Sequence, residues 1–186
     1  MINKQVVYKW FDLYSVEENT EEKNKLQEKI LVSLQEIAVP TAADLHLWGL
    51  TYYFSDENRE ANLQLALEKF RAAWEADRSL FLSCLYIAHC YQDSGVYQQA
   101  LRYYLLVDKD TLKAFQTWRY VKLLEQIAFC KHQLGQEKEA QKLFQKMLKE
   151  YKKLSPGERP IPNEMAQCLD PKDPVMIATQ KLFSEH

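Results

Sequence analysis

Glycine and proline are scarce where most folds need them. The chain of 186 residues has four glycines, and five of its six prolines (Pro156, Pro160, Pro162, Pro171, Pro174) lie near the C-terminal end; none falls between Thr41 and Ser155. Sheet proteins spend glycine and proline on their turns, and proline breaks helices, so this long proline-free run with almost no glycine argues against a turn-rich β fold and predicts helices joined by short connections. Strong charge of one sign is also missing. A net charge of −2 argues against a general nucleic-acid binder, which carries a basic face. The four cysteines (Cys84, Cys90, Cys130, Cys168) have no C-x-x-C spacing, which argues against a zinc site or a disulfide framework and for buried thiols in a reducing compartment. No run of ~18 apolar residues is long enough to span a bilayer, and charges interrupt the first residues where a signal peptide needs an apolar core. The expectation is a cytoplasmic protein without a membrane span.

What is present suits a folded domain: 47% hydrophobic and 27% charged residues. The charge is unevenly placed. Residues 1–60 hold 11 acidic and 6 basic side chains, net −5, and residues 101–160 hold 7 acidic and 13 basic, net +6. Ile2, Val6, Trp10, Leu13 and Tyr14 share one face of a first short helix, and Leu26, Ile30, Leu34, Ile37 and Ala38 mark a second that ends before Pro40. An acidic link lies between them, and the Thr20–Lys23 stretch suits a helix start.

The most informative signal is internal repetition. Leu45-x-x-Trp48-Gly49-x-x-Tyr52 leads to Ala66-x-x-x-Phe70; Cys84-x-x-Ile87-Ala88-x-x-Tyr91 leads to Ala100-x-x-x-Tyr104; Leu124-x-x-Ile127-Ala128-x-x-Lys131 leads to Ala140-x-x-x-Phe144. Each stretch reads as a helix with a small residue at its centre, a turn, and a second helix bearing alanine and then an aromatic. The small residues allow close approach of the paired helices, and the aromatic fills the space beside them. Gly95 and Gly135 fall where a helix ends in left-handed conformation.

This pattern resembles the tetratricopeptide repeat, over about Asp44 to Tyr151. The Ala66 to Ala100 spacing matches the family's 34 residues; Ala100 to Ala140 is longer, which places extra chain around Asp108–Trp118, and the first unit has a longer turn within Ser55–Asn62. None of the units carries the closing proline common in the family. The resemblance implies an all-α fold of helical-hairpin repeats: three tetratricopeptide-like pairs in residues 41–154 forming a short right-handed α-solenoid, N-terminal helices in 1–40 packed on it, and a proline-rich linker with a C-terminal capping helix in 155–186. Asp173 then reads as an N-cap with Pro174 at the first helical position. Val175, Ile177, Ala178, Leu182 and Phe183 would cover the end of the stack.

No phosphate-cradling glycine loop, H-E-x-x-H or G-x-S-x-G occurs, and the neighbours His89–Cys90 and Cys130–His132 point in different directions on a helix, so neither pair can meet within its own helix. A non-enzymatic protein without cofactor or metal is expected. The resemblance places a concave protein-binding groove on the first helices: His46, Leu50 and Tyr53; Leu85, His89 and Gln92; Glu125, Phe129 and His132. Lysines and asparagines of a carboxylate clamp are absent from these nine, which argues against that class of co-chaperone. Lys138, Lys142, Lys146, Lys149 and Lys153 make a basic stripe along one face of the last repeat helix, opposite Ala140, Leu143, Phe144, Met147, Leu148 and Tyr151. A solvated outer face explains it; so does a surface that meets an acidic protein partner. The expected function is an adaptor or client-binding chaperone that holds a peptide segment or helix of another protein, with a bacterial immunity protein or a secretion chaperone dedicated to one partner as alternatives.

Overall fold

The computed structural model describes residues 4–184, so Ile2 lies outside the described residues. Among these residues the chain forms eleven α-helices and no strand, and none of the helices is long and apolar enough to cross a membrane. It divides into two units, Met1–Ser94 and Gly95–His186.

The first unit holds α1 (Lys4–Val16), α2 (Thr20–Gln35), α3 (Ala42–Tyr53), α4 (Arg59–Ala76) and α5 (Phe81–Asp93). Helix α1 buries Val7 and Tyr14, with Trp10 and Phe11 partly buried beside them; Val6 is half-buried and Leu13 is exposed. This corrects the phase expected for α1. Apolar residues surround much of this helix, so periodicity alone admits both faces, and the one that meets Ile30, Leu34 and Leu47 wins. The Tyr14 hydroxyl donates to the Thr51 carbonyl at 3.1 Å. Asn19 caps α2 by accepting the Glu22 N–H, which starts the helix where its early carboxylates suggest.

Thr41 and Asp44 form a capping box at the start of α3. Asp44 is buried and also takes an ion pair from Lys4 on α1. Burial works to raise its pKa, but the Lys4 ammonium and the Thr41 bonds outweigh it and hold the carboxyl below its usual value. Gly49 is the close-approach position between α3 and α4: a Cβ there would stand 2.6 Å from two ring carbons of Phe70. Phe70, Ala66 and Ala73 are fully buried on the facing side of α4.

The second unit holds α6 (Tyr97–Leu106), α7 (Lys109–Phe115), α8 (Thr117–Gln133), α9 (Glu137–Tyr151), α10 (Asn163–Cys168) and α11 (Pro174–Phe183). The extra chain expected around Asp108–Trp118 folds into the separate helix α7, whose first turn is capped by Asp108 accepting the N–H groups of Asp110 and Thr111 at 2.9 Å each. Helices α8 and α9 pack as a pair around Ala128, Ala140, Phe144, Met147 and Tyr151, with Leu143 and Leu148 at the margin. Gly135 closes α8 at φ +74°, its N–H bonded to His132 and the next N–H, from Gln136, to Lys131. Gly95 has the same left-handed conformation at φ +72°.

After Tyr151 the chain makes one 3₁₀ turn, Pro156–Glu158, passes through Pro160 and Pro162, and then forms α10, which the sequence reading did not contain. Asp173 accepts the Val175 N–H at 2.8 Å with Pro174 at the first helical position, as expected. Helix α11 turns Val175, Met176 and Thr179 inward, while Ile177 is exposed. Met165, Val175 and Met176 join the core of α8 and α9.

Candidate functional site

In the first unit, α3 and α5 place five of their expected groove residues on a half-buried face: His46, Leu50 and Tyr53 from α3, His89 and Gln92 from α5. Leu85 is buried. The centre of this face is Tyr86, which the expected groove positions Leu85, His89 and Gln92 leave out because its neighbours come from α3 and α4. Its ring stacks on Phe70 at 5.1 Å between centroids and meets Tyr53 and His89 edge-on at 5.3 Å each and His46 at 5.7 Å. Offset and edge-to-face arrangements of this kind suit the ring quadrupoles.

Polar links fix the rim of the cluster. His46 Nδ1 lies 2.8 Å from the Ser83 hydroxyl. The Tyr53 hydroxyl donates to Asp93 at 3.0 Å; Arg59 bonds the same carboxylate at 2.6 Å and stands over the Tyr53 ring at 4.9 Å. Burial, and then the Asp93 charge, push the Tyr53 phenol up, so it stays a hydrogen-bond donor. These rings are thus a prearranged surface with few side-chain rotations left to lose.

The corresponding helix of the second unit presents a different picture. Glu125 and Phe129 are buried, and His132 is half-buried. The Phe129 ring meets Tyr97 of α6 edge-on at 5.7 Å. Glu125 accepts the Met165 N–H at 2.9 Å through Oε1 and pairs with Lys122 at 2.9 Å through Oε2. Lys122 also bonds the Ile161 carbonyl at 2.9 Å and the Glu164 carboxylate. The chain's own C-terminal segment therefore occupies Glu125. Burial first, with the Glu164 charge adding to it, raises the Glu125 pKa to about 7 against the opposing pull of Lys122 and the Met165 N–H. His132 lines a hollow of about 270 Å³ with Cys168 and Leu169.

The basic stripe keeps Lys138, Lys142, Lys146 and Lys149 exposed along α9; Lys153, expected on the same helix, is exposed in the turn that follows it. Lys153 pairs with Glu150 at 2.8 Å, and Lys146 stands 5.9 Å from the Tyr120 ring centre. Burial pushes the thiols up, Cys90 and Cys130 to about 12 and Cys84 and Cys168 to about 11, the opposite of nucleophile activation. Among the described residues no three His, Cys, Asp or Glu side chains cluster to hold a metal ion. No protein-family model matches the chain, and no curated protein matches it.

Proposed function

We propose that the chain is a tetratricopeptide-like repeat protein that binds a segment of another protein without catalysing a reaction, and that the ring face of α3 and α5 is the contact surface. The observation that carries this reading is the cluster of His46, Tyr53, Tyr86 and His89, half-buried, interlocked and drawn from repeat-pattern helices. Rigid aromatic side chains deliver large contact area at low entropic cost, and such residues dominate the energetics of protein interfaces. The repeat reading is supported by Gly49 lying against Phe70, by buried Ala66, Ala100 and Ala140, and by left-handed Gly95 and Gly135. The exposed lysines of α9 would add long-range attraction for an acidic partner.

Affinity capture from a lysate of the source cells, quantified by mass spectrometry, tests the reading. Proteins retained by the native chain should be lost by a Tyr86→Ala/His89→Ala variant whose melting remains cooperative. An identical set of captured proteins would remove this face from consideration.

A further inference from the structure

The segment from Arg159 to Cys168 is held in an unusual way. The polar groups of α8 and α9 that meet it take hold of its main chain: the Tyr151 hydroxyl donates to the Pro160 carbonyl at 3.1 Å, Lys122 donates to the Ile161 carbonyl, and Glu125 accepts the Met165 N–H. Met165 and Pro162 are buried, Met165 in the core of α8 and α9, while Glu164 meets Lys122 and the Arg159 guanidinium stands 6.0 Å from the Tyr151 ring centre. Main-chain bonds with a few side-chain anchors are the chemistry of a peptide held in a receptor site. Helix α10 is six residues long and has no side-chain cap of its own. A helix this short does not persist in water, so the site shapes the segment it binds.

Glu125 is the informative residue. A fully buried carboxylate costs several kcal/mol unless it is paired and hydrogen-bonded, and the bonds it makes here go to Lys122 and to the docked segment. If the segment left, the carboxylate would lose the Met165 N–H, and Lys122 would lose two of its three acceptors. The empty site is therefore a poor resting state, and it favours reoccupation by any segment with the same groups.

The connection permits more than one donor. Residues 155–158 are exposed, nothing lies within 4 Å of the place a Cβ would take on Gly157, and Gly157 to Pro160 border an open hollow of about 560 Å³ shared with the turn between α7 and α8. Arg159 is extended, and the chain then passes through prolines at 160 and 162 to a tight turn in which the Asn163 N–H bonds the Ile161 carbonyl at 3.0 Å. We propose that the Lys122, Glu125 and Tyr151 site takes the Arg159–Phe183 segment of a second copy of the chain, giving a dimer by reciprocal exchange through the 155–158 hinge. Every contact of the exchanged form is one already made within the chain, so the exchange needs no new chemistry. The short hinge keeps the effective concentration of the chain's own segment high, and the closed monomer is the form expected in dilute solution.

Shortening the hinge should reverse that balance. Deleting residues 156–158 removes roughly 10 Å of reach at ~3.3 Å per residue, so the segment can no longer turn back onto its own α8. The deletion variant should run as a dimer by light scattering at micromolar concentration, where the native chain is a monomer. The Lys122–Glu164 ion pair gives the direct readout. Equal amounts of ¹⁴N and ¹⁵N protein are co-refolded at high concentration and treated with a carbodiimide, and the cross-linked peptide joining residues 122 and 164 is examined by mass spectrometry. Exchange predicts mixed-isotope cross-links in about half the product from the dimer fraction. Should the deletion variant fail to fold, the native chain co-refolded at millimolar concentration supplies the same measurement. A dimer fraction with only same-isotope cross-links, or a native chain and a folded deletion variant that both stay monomeric at every concentration, would overturn the proposal.

Discussion

The α3–α5 face of the first unit and the α8 face of the second, expected from the sequence to be alike, are different surfaces. On the first, Tyr53, Tyr86 and the two imidazoles hold one another by ring contacts and are fixed at the rim by Ser83 and Asp93. On the second, Glu125 and Lys122 find their partners in residues forty positions away, at Ile161, Glu164 and Met165. A repeat pattern sets where a first helix runs and which small residues let its mate approach. What covers that helix is decided by sequence outside the pattern.

The difference can be broken hardest at Met165. Met165→Ala removes a fully buried anchor of the α10 segment and should cost about 2 to 5 kcal/mol. Hydrogen exchange should locate the lost protection in α8 to α11, whereas loss spread evenly over α1 to α5 would contradict a local docking role. In the first unit the comparable point is Gly49. Gly49→Ala drives a methyl into the Phe70 ring and should cost about 1 to 3 kcal/mol. Gly49→Ala combined with Phe70→Leu should destabilise by less than the sum of the two single changes; simple additivity in a thermal or urea melt would deny the contact.

Acid should separate the units by sign. Glu125 has a raised pKa in the folded chain, so its favourable contribution is complete below its ordinary 4.5 and is lost as pH rises through about 7. Asp44 has a lowered pKa, so its contribution is present above its ordinary 3.8 and is lost as pH falls further. Between pH 7.5 and 5 the second unit should therefore gain protection against hydrogen exchange, and Glu125→Gln should flatten that gain, while Asp44→Asn should alter only the response at lower pH. A gain that survives Glu125→Gln would point to another group. The smallest effect on folding is expected at the stripe: Lys142→Glu with Lys146→Glu should change stability by less than about 0.5 kcal/mol. Its effect on an acidic partner should appear in the association rate and fade as salt shortens the screening length.

Much of the helical framework was legible because it rests on local rules. The left-handed glycines at 95 and 135, the close approach at Gly49 and the Asp173–Pro174 start each follow from a few adjacent residues. The parts that were not legible depend on distant partners. Helices α7 and α10 are too short to announce themselves by period; α7 is completed by the Asp108 cap and α10 by its bonds to α8. The face of α1 was ambiguous because Val6 and Val7, and likewise Leu13 and Tyr14, are adjacent apolar pairs, and only the packing on Leu47, Ile30 and Leu34 chooses between them. Tyr86 and Glu125 gain their surroundings from other helices, Tyr86 from α3 and α4 and Glu125 from α10. No window along the sequence contains those pairs.

The participation of Met165, Val175 and Met176 in the core of α8 and α9 also sets an order of events during synthesis. Val7, Tyr14, Ile30, Leu34 and Leu47 are all available to one another once the early part of the chain has emerged, whereas α8 and α9 wait for apolar side chains made later. Elongation at about 5 to 20 residues per second puts roughly a hundred residues, and so about 5 to 20 seconds, between Phe70 and Met176. Within that interval, over the 40 residues from Glu125 to Met165 and so about 2 to 8 seconds, the nascent second unit carries an uncovered Glu125 and an unfilled core, which is when a chaperone, or the finished segment of a neighbouring copy on the same message, has its best access.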